Sequence, residues 1–426
     1  MLKILINSYT CCPRMGSEPG MGWNWIVALV KYCEMFIVTE GEYRNNIEKW
    51  LSYPENAILA KNLHFYWNPI AKDEKACAKI RKMCWNQGDW RFYVYYKKWQ
   101  KKTAKIAEGI CKREKIDILH QLNMIGFREP GYLWQVSKKI GIPFVWGPID
   151  AKDSFPMAYA QKSNFKIRTF LYIKNLITHL QLRFSRRVCA AAEQASVIIG
   201  ATTNSINSIK KYLHLDAFLI NETGCHEALN STVKEKKNDE IFEILWVGKF
   251  DFRKQLDLAL HAVASTSIDN VRLHIVGSGN DKPYQKLASN LGISTRCIWH
   301  GLITREDVQN IMKRCDVFLF TSVAEGTPHV VLEAIANNLP VICFDTCGQG
   351  DCVTNEVGIK ILLTNPKKSI ADFAKAIGLL YNNRQLLHNM SKNCFARATE
   401  LSWDNKAQTM LSLYHKVIQN HRGLAS

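Results

Sequence analysis

Two short runs of apolar residues, Val317–Phe320 and Val341–Phe344, flank a turn and an apolar segment of helical length, Val330 to Ala336. Runs without a polar face read as strands covered on both sides, which is the condition of a parallel sheet. Parallel neighbours need a crossover, and the intervening helix supplies it. The turn reads Glu325-Gly326-Thr327-Pro328-His329-Val330-Val331-Leu332-Glu333. It therefore sits at the carboxyl edge of a parallel sheet, where open α/β sheets bind their ligands. The N–H groups at a helix start, with the positive dipole end outward, suit a phosphate. Glu325 precedes the helix and Glu333 lies about two turns on at 3.6 residues per turn. The two carboxylates can grip opposite ends of one extended ligand.

The same alternation recurs along the chain. Strand-like segments fall at Leu2–Ile6, Met35–Thr39, Leu63–Trp67, Ile116–His120, Pro143–Trp146 and Val197–Ile199, with helical patterns between them. A doubly wound parallel domain follows from that order. Residues 222–241, rich in Lys, Glu, Ser, Thr and Asn, read as a linker. Beyond it, Phe242–Val247 opens a second domain. Leu273–Val276 with its turn Gly277-Ser278-Gly279, and Cys297–Gly301, continue it. After the first strand, Met15-Gly16-Ser17-Glu18-Pro19-Gly20-Met21-Gly22 leads into an apolar helix. Strand, glycine loop and helix let a backbone approach a phosphate at Gly20 and Gly22; a plain tight turn accounts for the same residues. His120 ends its strand before a polar loop, the position of a cleft-facing residue in such a domain. The alternative is a structural histidine with its hydrogen bonds satisfied.

The formal charge of +18 is uneven: residues 1–232 hold 33 Lys and Arg against 19 Asp and Glu, leaving +14 in the first half. An anionic partner for that half is expected. Lys79 to Lys105 carries nine cations against Asp89, interleaved with Trp85, Trp90, Phe92, Tyr93, Tyr95, Tyr96 and Trp99. Ser154 to Ala192 holds no acid at all, but seven cations, Lys162 and Arg187 among them. Basic heads with Trp and Tyr suit an anionic membrane surface; single-stranded nucleic acid is the other partner of that chemistry. The bland reading is helices with core aromatics and solvated lysines. No apolar run approaches the ~18 residues of a membrane span, and the opening run is too short for a signal peptide. The fourteen cysteines show no metal spacing and fit free thiols in a reducing compartment. A cytoplasmic protein, peripheral on the inner membrane face, is expected; the sequons at Asn221 and Asn230 then carry no meaning.

The Glu325-to-Glu333 stretch resembles the Glu-x7-Glu motif of retaining glycosyltransferases of family 4. The resemblance implies the GT-B fold: two Rossmann-like, doubly wound parallel-sheet domains facing a cleft. It implies an acceptor-binding domain over 1–221, the linker 222–241, a donor-binding domain over 242–400, and a last helix, 401–426, crossing back to the first. It puts Glu325 on the donor sugar, Gly326, Thr327, His329 and Val330 on the diphosphate, and Glu333 on the ribose. Gly248-Lys249…Lys254 resembles the family's Gly-Arg…Lys-Gly element, with Lys249 where Arg is usual. Lys249 and Lys254 would neutralise a leaving diphosphate. By the same resemblance Gly20, Gly22, Gly248 and Gly277 line the donor, His300 the nucleobase pocket, and His120 contacts the sugar. Asp351 replaces the Glu of the family's Gly-Gly-x-x-Glu loop.

The chain contains no Asp-x-Asp. That fits a metal-independent enzyme without a cofactor, in which cations and helix N–H groups take the place of a divalent ion. The expected reaction moves a sugar, with retention, from a nucleoside-diphosphate sugar to a glycan or lipid-linked acceptor. Cell-surface polysaccharide assembly, of a capsule or O-antigen, is the expected setting. Rivals are a sugar-nucleotide epimerase on the same fold and a basic nucleic-acid binder, which pI 9.3 alone would allow.

Overall fold

The computed structural model describes residues 1–85, 89–151, 154–160, 164–226 and 241–423. Most of the expected linker, Asn230, Lys162 and the side chain of Trp85 lie outside the described residues. The chain divides into two compact units: Met1–Asp153, Ile177–Glu222 and Trp403–Ser426 form the first, and Ser154–Leu176 with Thr223–Ser402 the second. Nothing in the sequence marks the assignment of 154–176 to the second unit.

The first unit holds seven strands: β1 (Leu2–Ser8), β2 (Cys33–Thr39), β3 (Leu63–Trp67), β4 (Ile118–Asn123), β5 (Phe144–Ile149), β6 (Val197–Gly200) and β7 (Phe218–Leu219). They run parallel in the order β3-β2-β1-β4-β5-β6-β7. The reversal beside β1 is the mark of a doubly wound sheet. Alternate residues of β1 feed opposite cores. Ile4 and Ile6 pack with Trp25 and Met410 on one face, Leu5 with Phe36 and Phe144 on the other. Helix Trp403–Gly423 covers the first face: Trp403, Ala407, Met410 and Tyr414 are all within that core. Strand β4 begins later than the sequence indicates and runs on through Gln121 and Asn123. Gln121 Oε1 accepts from Asn7 at 2.8 Å inside the unit, so this end of the strand is bonded within the protein rather than solvated.

The second unit holds β8 (Phe242–Lys249), β9 (Val271–Ser278), β10 (Cys297–Gly301), β11 (Val317–Phe320), β12 (Val341–Phe344) and β13 (Gly358–Ile361). Their order is β10-β9-β8-β11-β12-β13, again all parallel. Ile244, Trp246 and Leu319 enter one core, Leu245, Phe318 and Phe320 the other. Both units are thus Rossmann-like, as expected. Strands β7 and β13 are additions, invisible as patterns because one has two residues and the other begins on a glycine.

The basic-aromatic stretch 79–105 forms the end of helix Glu74–Trp85 and the start of helix Trp90–Arg113. Phe92, Tyr96 and Trp99 are buried around Tyr9, whose ring meets Trp99 edge-on at 5.0 Å. The bland reading therefore holds for those three. Trp90, Tyr93 and Tyr95 remain exposed. No helix among the described residues is long and apolar enough to cross a membrane.

Candidate functional site

In the second unit, β11 ends at Phe320 and the chain is then tied to the loop after β8. Thr321 donates to the Lys254 carbonyl at 2.8 Å and accepts from Trp246 Nε1 at 3.0 Å. The Val323 N–H donates to the Arg253 carbonyl at 3.0 Å. These bonds bring two distant segments to one point on the carboxyl edge of the sheet. There Lys254 Nζ meets Glu325 Oε1 at 2.7 Å, and Ser322 Oγ donates to the same oxygen at 2.5 Å. Lys254 also lies over the Phe320 ring, 5.3 Å from its centre. Both charged side chains are more than four-fifths buried. Arg253, paired with Asp251 at 2.7 Å, adds its charge to the surroundings of Glu325.

Helix His329–Ala336 begins after the N-cap Pro328. Its first N–H groups have no carbonyl a turn earlier to bond. Gly326, His329 and Val330 are partly open to solvent, whereas Thr327 is buried. The loop after β12 supports this turn. Gly348 N–H donates to the Gly326 carbonyl at 2.9 Å, and a Cβ at 348 would stand 2.5 Å from Thr327 Cα. Asp351 lies in the short helix Cys347–Cys352 that follows.

Farther along the same helix Glu333 pairs with Arg305 Nη2 at 2.7 Å. Burial pushes the Glu333 carboxyl up and Arg305 pulls it back. The two line a cavity of about 120 Å³ with His226 and His329. Burial, reinforced by Arg305, holds His329 at about 4, so its ring is neutral near pH 7. Its Nδ1 lies 3.2 Å from Thr223 Oγ1. Each carboxylate of the pair is thus already matched with a cation. In general a carboxylate can accept from hydroxyls and a cation can donate to phosphate oxygens. Lys249, at the end of β8, is exposed and has no ion pair among the described residues. Lys254, by contrast, is held by Glu325.

The expectation for His120 is corrected. His120 is fully buried in the first unit, with both ring nitrogens occupied. Nε2–H donates to the Gly147 carbonyl at 2.6 Å, and Nδ1 accepts from Tyr414 Oη at 2.6 Å. Burial lowers the imidazole to about 4, and no nitrogen is left to meet a sugar. It is a structural histidine. Gly20 and Gly22 are buried, and a Cβ would stand 1.8 Å from the Met15 carbonyl oxygen and 2.6 Å from that of Thr10. Close packing by itself calls for glycine at both positions. Gly248 and Gly277 face each other across β8 and β9, where a Cβ on Gly277 would stand 1.9 Å from the Gly248 carbonyl oxygen. His300 stacks on His274 at 5.2 Å, with 2.9 Å between their nitrogens, and His274 reaches Glu243 at 2.8 Å. No hydrogen bond or ion pair among the described residues joins His300 to Glu325 or Glu333.

Arg305, His226 and Ser322 went unremarked in the sequence. Each lies far along the chain from its partner or is too common a residue to stand out. Glu18 is a further surprise, in the first unit. Its Oε1 accepts from the Ile125 N–H at 3.2 Å, and its Oε2 is buried without a hydrogen-bond partner among the described residues. Burial raises the carboxyl to about 7. An acid set among glycines at the start of a helix was the one available signal.

Residues 229–397 match the family model for glycosyl transferases, group 1. The N,N'-diacetylbacillosaminyl-diphospho-undecaprenol alpha-1,3-N-acetylgalactosaminyltransferase of Campylobacter jejuni is 29% identical over 153 residues, 36% of this chain and 39% of that protein. The D-inositol 3-phosphate glycosyltransferase of Mycobacteroides abscessus is 27% identical over 237 residues, 54% of this chain and 51% of that protein. The chain spans about half or less of the length of these curated relatives. The crystal structure of Anabaena Alr3699/HepE in complex with UDP aligns with 98% of this chain and 100% of its own, at TM-score 0.60 and 13% identity. At that identity the likeness shows the fold. Glu325, Lys254, Arg305 and Glu333 all fall within the span that is similar to group 1 glycosyl transferases, and the chain's relatives by sequence are glycosyltransferases.

Proposed function

We propose that the chain is a retaining glycosyltransferase that moves a sugar from a nucleoside-diphosphate sugar to a glycan or lipid-linked acceptor. The Lys254–Glu325 pair at the head of helix His329–Ala336 carries this reading. Glu325 holds the donor sugar. The N–H groups from Gly326 to Val330 hold the diphosphate, and Glu333 with Arg305 holds the ribose. Lys249 and Lys254 neutralise the leaving diphosphate without a metal ion. A leaving-group oxygen takes the acceptor's proton, on the face from which the diphosphate departs. The UDP bound by the Anabaena protein supports a uridine donor. The diphospho-undecaprenol in the Campylobacter relative's name supports a lipid-linked acceptor and a setting in surface polysaccharide assembly.

The test is a binding screen of nucleoside-diphosphate sugars against the purified chain, followed by transfer assays with the binders. One or a few donors should bind, and Glu325→Ala should lose discrimination among sugars. The product should keep the donor's anomeric configuration, and activity should survive EDTA. An inverted product, or strict dependence on Mg²⁺ or Mn²⁺, would overturn the mechanism. Normal kcat/KM in Glu325→Ala would remove the donor assignment.

A further inference from the structure

Gln255 caps helix Leu256–Ala264 with its backbone in the left-handed region, at φ 51° and ψ 44°. Glycine takes that conformation freely, and a residue with a Cβ is strained there. The glutamine is buried all the same, with 6% of its surface exposed. Its Nε2 donates to the Phe252 carbonyl at 2.5 Å and to the Tyr159 carbonyl at 3.0 Å. The first bond closes the loop after β8 on itself. The second ties that loop to residues 154–160, which belong to the same compact unit. Those residues are anchored in their turn. Tyr159 is buried in a core of the second unit, its ring edge-on to Phe344 at 5.5 Å and its hydroxyl 2.7 Å from Ser369 Oγ. The Phe155 ring lies 5.5 Å from Phe252, and its N–H donates to Asn175 Oδ1 at 2.9 Å.

We infer that Gln255 is a positioning residue for sugar transfer: anchored on the Tyr159 carbonyl, its amide fixes the loop that delivers Lys254 to Glu325. The path is short. The Lys254 and Gln255 carbonyls share the Thr321 hydroxyl at 2.8 and 3.1 Å, and the Val323 N–H donates to the Arg253 carbonyl at 3.0 Å. The Lys254 N–H donates to the Asp251 carbonyl at 3.1 Å. A shift of the backbone at Gln255 is thus passed to the residue that carries the cation and to the chain that leads from β11 to Glu325. A lysine ammonium rides on a flexible four-carbon stem and has no fork to fix its direction. Its place is set by where the backbone puts the stem and by the carboxylate it meets, Glu325 at 2.7 Å. A strained backbone persists where its surroundings over-determine it, and such residues gather at functional sites. Here the two carbonyl bonds are those surroundings. Glycine at this position would start the helix without strain but would release both carbonyls. The part Lys254 plays toward a leaving diphosphate rests on the function proposed above; the hold on the loop does not.

The test compares Gln255→Met, which keeps the bulk and the strain but loses the donor, with Gln255→Gly, which loses the donor and the strain together. Hydrogen exchange of the full chain without substrates comes first. The amides of Lys254 and Val323 should exchange about tenfold faster in both variants, while those of β9 stay protected. In transfer assays with saturating donor and acceptor, kcat should fall roughly ten- to a hundredfold, as for a displacement on the order of 1 Å. The donor Kd should change less than about threefold, because the displaced cation acts on the leaving group. Added to Lys254→Ala, Gln255→Met should lower kcat no further, since residues that act through one group are not additive. A glutamine that served the fold alone would lower Tm, leave kcat unchanged well below Tm, and add its effect to that of Lys254→Ala. Three outcomes would overturn the inference and leave the proposed function standing: unchanged exchange at Lys254 and Val323, the kcat of the unaltered chain in either variant, or a full further loss on the Lys254→Ala background. Failure of the unaltered chain to transfer from any nucleoside-diphosphate sugar would overturn both.

Discussion

A buried histidine and a half-buried glutamate show how far a residue's surroundings decide its role. His120 is neutral and bonded at both nitrogens, so Tyr414→Phe removes the donor to Nδ1 and leaves a buried acceptor unmet. The expected cost is about 1–3 kcal/mol, read as a fall in Tm or in the urea midpoint. Glu18 predicts a pH effect. Its carboxyl is raised to about 7 in the folded chain, so between its ordinary range near 4 and about 7 the folded state holds the proton more tightly than the unfolded one. Its contribution to stability is therefore present at low pH and is lost as pH rises through about 7. The Tm of the unaltered chain should fall relative to Glu18→Gln over that interval. At the proposed donor site, Lys249→Ala should cost about 2–4 kcal/mol in transition-state stabilisation, as loss of a preorganised donor does, with Tm unchanged. Lys254→Ala should lower both kcat/KM and Tm, because it strands the Glu325 charge. Equal Tm values for the two variants would show that the Lys254–Glu325 pair contributes nothing to the fold.

Among the elements, the close strands β8 and β9 predict a contrast between two glycines. A methyl at Gly277 would run into the Gly248 backbone. Gly277→Ala should cost roughly 1–3 kcal/mol or more, the range for overpacking. Gly378 lies inside helix Pro366–Asn382 with nothing within 4 Å of a Cβ. Gly378→Ala should stabilise by about 0.5–1 kcal/mol, through the helix propensity of alanine. Thermal melts of the two variants check both signs. The elements themselves were largely legible. Short wholly apolar runs bounded by turn residues, such as Val341–Phe344, fit central parallel strands. Strand β7, with two residues, has no periodicity to read.

In the whole molecule, helix Trp403–Gly423 completes the core of the unit built from the start of the chain. Trp403 meets Trp25 edge-on at 5.6 Å, and Met410 and Tyr414 are fully buried. Truncation after Ser402 would expose that apolar face to water. Hydrogen exchange on the truncated chain should show β1 and β2 losing protection, while β8 and β11, in the other unit, keep theirs. Simultaneous loss in both units would mean that they unfold as one. The charge also belongs to this scale: the +14 of residues 1–232 is legible in the sequence. Where its apolar companions point is not, because in both basic segments aromatics and lysines alternate too irregularly to show which side of the helix is covered.

By itself the sequence determined the two parallel sheets, the strand-turn-helix that carries Glu325 and Glu333, and the uneven charge. These depend on local pattern: a run of β-formers, a turn residue, the count of lysines. Only the tertiary structure decided which residues meet. It paired Lys254 with Glu325 and Arg305 with Glu333, withdrew His120 into a core and set Gly20, Gly22 and Gly277 close against neighbouring backbone. Each of these depends on contacts between segments far apart in the chain, and a hydrogen bond or a covered face leaves no mark on the residues taken one at a time.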